Sequence, residues 1–442
     1  MPATPETVDT LIHARWIVPV EPAGAVLEAH SLAIQNGRIR DLLPRVEAEA
    51  RYSATETVEL PRHVLMPGMI NMHSHAAMSL LRGLADDMPL MQWLQEHIWP
   101  AEGRHVSADF CRDGVELAIA EMIKGGITCF NDMYFFPDVT AQVAAAAGVR
   151  ACVGLIVLDF PSVWAKSADE YLDKGTGVHD AWRNHPLVRT VFAPHAPYTV
   201  SDAPLRRVRM LADELDIPIH MHVHETAFEV EQAVAQSGKR PLARLQELGL
   251  LSPSLLAVHM TQLTDQEIEL CAQTGLHVLH CPESNLKLAS GFCPVGRLAA
   301  AGVNVALGTD GAASNNDLDL LGELRTAALL AKGVAGDAST LPAAAALRTV
   351  TLNGARALGL DAELGSLERN KLADLCAIEL DTLETQPLYN VLSQIVYASN
   401  RQQVSDVWVA GKRLLDNRRL TTLDEAEILE RSRDWGRRIA AA

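Results

Sequence analysis

Positive charge is scarce in this chain. Lysine and arginine together number 38 against 55 aspartates and glutamates, a formal charge of -17 over 442 residues. Such a field repels phosphate backbones and anionic lipid surfaces, so neither nucleic acid nor membrane is an expected partner. Apolar runs of membrane-spanning length are missing as well, and Met1–Glu6 has neither the basic start nor the apolar core of a secretory signal. No two cysteines stand in C-x-x-C spacing. The seven cysteines run from Cys111 to Cys376, an odd count that suits buried thiols in a reducing compartment better than a disulfide framework. With 48% hydrophobic and 21% charged residues, low-complexity segments are not the main content either. These absences leave an ordinary globular protein, expected in the cytoplasm, with room for a large barrel and a smaller domain.

Apolar runs of strand length recur along the middle of the chain: Val64–Asn71, Ile127–Met133, Arg150–Leu158, Thr190–Ala193, Pro218–Val223, Leu255–His259, His277–His280 and Val303–Gly308. Stretches with apolar residues three and four apart separate most of them, such as Ala108–Lys124, Ala203–Leu215, Gln266–Gln273 and Leu318–Ala331. Strand and helix alternating eight times predict a (β/α)8 barrel of the TIM type. Both chain ends read differently. Short strands joined by turns, with a hairpin signal at Asn36-Gly37, fill Leu11–Leu65, and the same texture returns after Gly365. The expected α/β architecture is therefore a barrel over residues 66–362 with a small composite β-sandwich built from 1–65 and 363–442.

The chemistry-bearing residues fall at the ends of these strands. The first run leads into His73-Ser-His75, and side chains two apart on an extended segment face the same way. Two imidazoles so placed suit a divalent metal, although the pair alone fits polar turn residues equally well. The fifth run carries His220, His222 and His224, three alternate histidines expected on one face, with Glu225 just beyond. Burying three imidazoles is costly unless each finds a hydrogen-bond partner or a metal, and spacing alone leaves open which one binds an ion. The sixth run ends in His259, and the eighth delivers Asp310 at its C-terminal end, the rim where barrel active sites lie. Three histidines and one carboxylate leave a divalent ion room for a water, whose pKa such an ion lowers to about 7. A second ion in related barrels needs a carbamylated lysine on the fourth strand. No lysine occurs between Lys174 and Lys239, so one ion is expected.

In this order and at these strand ends, His73-Ser-His75, His222-Val-His-Glu225, His259 and Thr309-Asp310-Gly resemble the amidohydrolase superfamily. The longer blocks MPGMINMHSHAAMSLLRG, WLQEHIWPAE, PHAPYTVS, CPESNLKLASG and LGTDGAASNN resemble its branch of 5'-methylthioadenosine/S-adenosylhomocysteine deaminases, with guanine deaminases and triazine hydrolases nearby. The resemblance implies His73, His75, His222 and Asp310 as ligands of one divalent ion, zinc by first choice, with His220 and His224 in support. It implies that Glu225 handles the proton of the adenine N1, that Asp310 moves the protons of water and departing amine, and that His259 orients the attacking water. Glu102 and His195 are implied as substrate contacts, Glu102 on the ribose. The expected reaction is hydrolysis of an adenine nucleoside to its inosine form and ammonia. The expected partner is thus a small nucleoside, and the outer helices of such a barrel also suit a homo-oligomer.

One departure bears on the substrate. Branch members that accept S-adenosylhomocysteine carry arginines after the third strand, suited to an amino-acid carboxylate. Here Leu155–Asp169 has none and offers Leu158, Phe160, Pro161, Val163 and Trp164, with Lys166 the only cation nearby. An apolar wall of this kind suits the methylthio group, so 5'-methylthioadenosine is the expected substrate, with adenosine and S-adenosylhomocysteine behind it. Guanine deamination or triazine hydrolysis would use the same metal site, and a barrel without catalysis is the alternative of another class.

Overall fold

The computed structural model describes residues 5–441. Met1–Thr4, part of the leader reading, and the outermost residues of both expected end segments lie outside the described residues. The chain begins with β1 (Glu6–Ile17), β2 (Leu27–Gln35), β3 (Arg38–Pro44) and β4 (Tyr52–Pro67). Eight parallel strands follow: β5 (Met69–Ser74), β6 (Ile127–Tyr134), β7 (Arg150–Val157), β8 (Val188–Pro194), β9 (Ile219–Val223), β10 (Leu255–His259), β11 (His277–His280) and β12 (Val305–Leu307). The chain returns through β13 (Leu375–Glu379), β14 (Val404–Val409), β15 (Lys412–Asp416) and β16 (Arg419–Leu420), which join β1–β4 in one mixed sheet of eight strands. Both chain ends thus build one layer, with Ile12, Leu32, Leu65, Leu375 and Trp408 in a shared core. Among the described residues no helix is long and apolar enough to cross a membrane. All seven cysteines are buried and unpaired.

Each barrel strand falls on one of the eight apolar runs, with one shift of boundary. Val64–Pro67 close β4 and pair with β13, Leu65 opposite Ala377, and the barrel begins only at Met69. The run looked continuous because it is buried on both sides of the junction. Gly68 marks the corner, where any side chain would strike Thr128 of the neighbouring strand.

The seam between β5 and β12 lies beneath the mouth. The Asp310 amide donates to the His73 carbonyl at 2.9 Å, and the Asn71 side chain exchanges two bonds with Thr309, donating at 2.8 Å and accepting at 3.0 Å. A side-chain amide here replaces a pair of ladder bonds. Gly308 lets the strands meet, since a Cβ at that position would collide with the His73 backbone. Further down, Cys129, Cys152, Val191, Leu256, Leu279 and Ala306, from six different barrel strands, form one buried cluster with Leu358, Leu360 and Leu364. Residues from non-neighbouring strands can meet only inside the barrel, so this cluster is its apolar filling. Outside the filling, the buried Arg150 grips Asp374 bidentately at 3.0 and 3.2 Å and fastens β7 to the chain leading into β13.

Candidate active site and metal centre

Polar atoms converge at the C-terminal ends of β5, β9, β10 and β12. His73 Nε2 lies 3.2 Å from His222 Nε2 and 3.3 Å from Asp310 Oδ1, and His75 Nε2 lies 3.3 Å from the same oxygen. Bonds of 2.0–2.1 Å to a tetrahedral ion place neighbouring ligand atoms ~3.3 Å apart, which these three spacings match; the atoms within mutual reach form two groups that share His73, one with His75 and Asp310 and the other with His222 and His259. The outer ring atoms support that fit. His75 Nδ1 donates to the Met133 carbonyl at 2.6 Å and His222 Nδ1 to the His195 carbonyl at 2.7 Å, which leaves both Nε2 lone pairs facing inward. His73 Nδ1 faces His220 Nε2 at 2.9 Å, so its outer partner is another ring.

Charge points the same way. Burial lowers His73 to about 4 and holds His222 well below the ordinary imidazole range, so both rings are neutral donors. Asp310 stays ionised despite burial, which would raise its pKa, because the His73 and His75 rings stabilise the carboxylate. Among the described residues the ion pairs of Asp310 are with His73 and His75 alone, with no lysine or arginine. His75 departs from the pattern: against its burial, the Asp310 carboxylate raises it to about 9. A divalent ion among these atoms would supply that counter-charge and displace the proton.

Glu225 stands beside the cluster, its Oε1 3.8 Å from His259 Nε2. Burial, reinforced by Asp310, raises its pKa, which favours a protonated carboxyl able to donate. Its backbone is pinned from two sides. The Glu225 amide donates to Glu229 Oε2 at 2.7 Å, and its carbonyl accepts from Thr261 Oγ1 at 2.7 Å. Glu229 does this from the first turn of the helix Ala227–Ser237, whose start is capped by Thr226. His259 ends β10 in a left-handed conformation, φ 73°, and its Nδ1 bonds Asn285 Oδ1 at 2.8 Å.

The cluster opens into a cavity of about 270 Å³. His75, His222, Glu225, His259 and Asp310 line its floor, Glu102 and His195 its sides. Tyr134 Oη donates to Glu102 Oε1 at 2.7 Å, and burial raises the Glu102 pKa. His195 bonds Thr199 Oγ1 through Nδ1 at 3.0 Å, and burial takes the ring down to about 3, so it is neutral. Ile156, Leu158, Phe160, Pro161 and Val163 form an apolar side. Trp164 is not part of it; it is buried with Tyr171 behind the loop.

The structure therefore gathers His73, His75, His222, His259, Glu225 and Asp310, and sets Glu102 and His195 in the same cavity. His224 departs from the spacing argument. β9 ends at Val223, His224 takes a left-handed φ of 53°, and its ring turns away to the Gln262 carbonyl and the Leu242 amide, each at 3.2 Å. Alternation holds only while a strand stays extended, and here it stops one residue early. Ser284, Asn285, Ser314, Glu229 and Tyr134 were not read from the sequence as parts of the site. The signal for the first two is their place in the block CPESNLKLASG, directly after β11.

A parallel barrel with a histidine and carboxylate cluster at its C-terminal rim is the arrangement of a metal-dependent barrel enzyme. The chain belongs to the amidohydrolase family, whose model matches residues 64–414. It is 50% identical over 435 residues to a 5-methylthioadenosine/S-adenosylhomocysteine deaminase of Teredinibacter turnerae, covering 98% of each chain. A zinc-bound crystal structure described as an adenosine deaminase from Xanthomonas campestris is 56% identical, with a TM-score of 0.98 over 99% of this chain and 100% of that one. An atrazine chlorohydrolase of Arthrobacter aurescens superposes with a TM-score of 0.89 over 96% of this chain and 99% of that one, but at 22% identity it shows the shared fold alone.

Proposed function

We propose that the chain hydrolyses an adenine nucleoside to its inosine form and ammonia, with 5'-methylthioadenosine the preferred substrate. Relatives named as 5-methylthioadenosine/S-adenosylhomocysteine deaminases, at about half identity over nearly the whole chain, support the reaction class. The observation that carries the reading is one cavity holding both a four-residue metal cluster with an adjacent buried carboxyl and, at its side, a second carboxylate with no partner in that cluster.

His73, His75, His222 and Asp310 would hold one divalent ion, His73 being common to the two groups of ligand atoms that lie within reach of one another, and the ion is zinc by analogy with the zinc-bound relative. When bound, such an ion supplies the Lewis acidity that makes water nucleophilic at neutral pH. The residues of the chain do the rest. Glu225 gives its proton to N1, which draws electron density from C6 as water adds there. Asp310 accepts one proton of that water and passes it to the amino group, which leaves as ammonia while the C6 hydroxyl returns its remaining proton to Glu225 and becomes the carbonyl. His259 accepts a hydrogen bond from the water and holds it over C6. Glu102 binds a ribose hydroxyl, and His195, neutral, contacts the substrate beside it.

The apolar side at Ile156, Leu158, Phe160, Pro161 and Val163 offers no cation for an amino-acid carboxylate, which favours a methylthio group at the 5' position. A free base or a triazine needs the same cluster but has no ribose for Glu102, so the cavity favours a nucleoside over both alternatives. The buried, unpaired cysteines fit a cytoplasmic setting. The test is turnover of 5'-methylthioadenosine, adenosine, S-adenosylhomocysteine and guanine by zinc-loaded protein. A tenfold or larger advantage in kcat/KM for S-adenosylhomocysteine refutes the preference, and turnover of guanine alone refutes the nucleoside reading.

A further inference from the structure

β11 contributes no side chain to the candidate metal cluster, yet the turn that follows it is packed against the site. The helix Pro282–Lys287 starts one residue beyond β11, and its Ser284 and Asn285 are completely buried. Ser284 Oγ donates to Asp310 Oδ2 at 2.6 Å, while the other oxygen of that carboxylate faces His73 and His75. Asn285 Oδ1 accepts from His259 Nδ1 at 2.8 Å. Two consecutive residues thus grip two side chains, one at the end of β10 and one just beyond β12. We propose that Ser284 and Asn285 are paired positioning residues, Ser284 fixing the plane of the Asp310 carboxylate and Asn285 fixing the tautomer and tilt of His259.

Chemistry makes each contact specific. A carboxylate held at one oxygen only can swing about its Cβ–Cγ bond. With Ser284, and Ser314 at 3.1 Å, on Oδ2, and the Gly311 amide on Oδ1 at 2.8 Å, rotation would break three bonds together. An amide oxygen accepts and cannot donate, so Asn285 requires a proton on His259 Nδ1. In the neutral ring the Nε2 lone pair then faces the cavity, 3.8 Å from Glu225 Oε1, and can accept from a water but not donate to one. The grip is itself anchored. The fully buried Glu323 accepts from the Glu283 amide at 3.1 Å and from the Asn315 side chain at 2.6 Å, and Asn315 donates in turn to the Thr309 carbonyl at 2.8 Å. One carboxylate therefore ties the Ser284–Asn285 turn to the residue preceding Asp310. Burial, with Glu283 adding to it, raises the Glu323 pKa well above the ordinary range, consistent with an anchor closed to solvent.

This inference rests on the deaminase reading for its kinetic arm only. In the zinc-loaded full chain, Ser284→Ala and Asn285→Leu are expected to lower kcat on 5'-methylthioadenosine by about 10- to 100-fold, the usual cost of losing a partner of a metal-site residue. KM stays within about twofold and zinc content stays full, while Ser284→Thr and Asn285→Asp, which keep a hydroxyl and an acceptor oxygen, recover most of the loss. Two further readouts need no substrate. Imidazole 15N NMR of the zinc form should show His259 protonated at Nδ1, a state lost in Asn285→Leu and kept in Asn285→Asp. The visible spectrum of cobalt-loaded protein should shift in Ser284→Ala and return in Ser284→Thr. Unchanged kcat in both variants, a loss accounted for by missing zinc, or a wild-type His259 protonated at Nε2 overturns the proposal. Should the wild type deaminate no nucleoside, the proposed function fails, and the NMR and cobalt results still decide this one.

Discussion

Cys129 and Asn131 are neighbours on the same face of β6, two residues apart, and they belong to different worlds. Cys129 sits in an apolar filling with Cys152, Val191, Leu256 and Leu279. Asn131 faces His220, whose ring meets His73 at the floor of the metal cluster. β10 repeats the contrast: Leu256 and Val258 pack in the filling, and His259, the next residue, turns into the site through a left-handed backbone. The strands spend their length on packing and their last residue or two on chemistry. Stability and activity are therefore separable by position along a single strand, and mutations at the two ends should fail in different assays.

The sharpest break of that comparison is at the mouth. Asp310→Ala removes a candidate ligand and proton acceptor at once, and should cost zinc together with at least about 10³-fold in turnover per folded molecule. Retention of zinc and of a tenth of the activity would take Asp310 out of the site. Away from the mouth, Asp374→Asn strips the buried Arg150 of its counter-charge and should cost about 3–5 kcal/mol in denaturant unfolding, with kcat per folded molecule unchanged. Leu256→Ala opens the filling and should cost about 2–5 kcal/mol by the same measure, again without a kinetic effect. If either of these variants lowers kcat in fully folded protein, the two ends are coupled and the separation fails. The mildest effect is expected at the side of the cavity: Glu102→Gln should raise KM for nucleosides about tenfold and leave any free-base activity alone, as loss of one charged hydrogen bond would.

The sequence carried the strands well because a barrel strand buried on both faces is a short apolar run, and eight such runs stand out from helical stretches. It pointed to the candidate cluster for a related reason: histidine and aspartate at the end of an apolar run are costly residues that need a purpose, although spacing left open which histidine of β9 belongs to it. The parts that escaped it depend on contacts without periodicity. His224 stands two residues after His222 like its predecessors, and only the turn at the end of β9 sends it elsewhere. Asn71 reads as one more polar residue before His73, whereas in the fold it bridges the seam to Thr309. Ser284 and Asn285 each lie 26 residues from the partner they hold, Asp310 ahead in the chain and His259 behind, a distance over which spacing has no meaning. The junction at Gly68 was hidden by apolar residues on both sides.

A spectrophotometric assay of the zinc-loaded protein decides whether this site serves an adenine nucleoside with an apolar 5' substituent. Initial rates would be compared for 5'-methylthioadenosine, adenosine, S-adenosylhomocysteine and guanine. The account predicts the highest kcat/KM for 5'-methylthioadenosine, with measurable adenosine turnover and no guanine turnover; rapid loss of guanine absorbance with all three nucleosides untouched would contradict it.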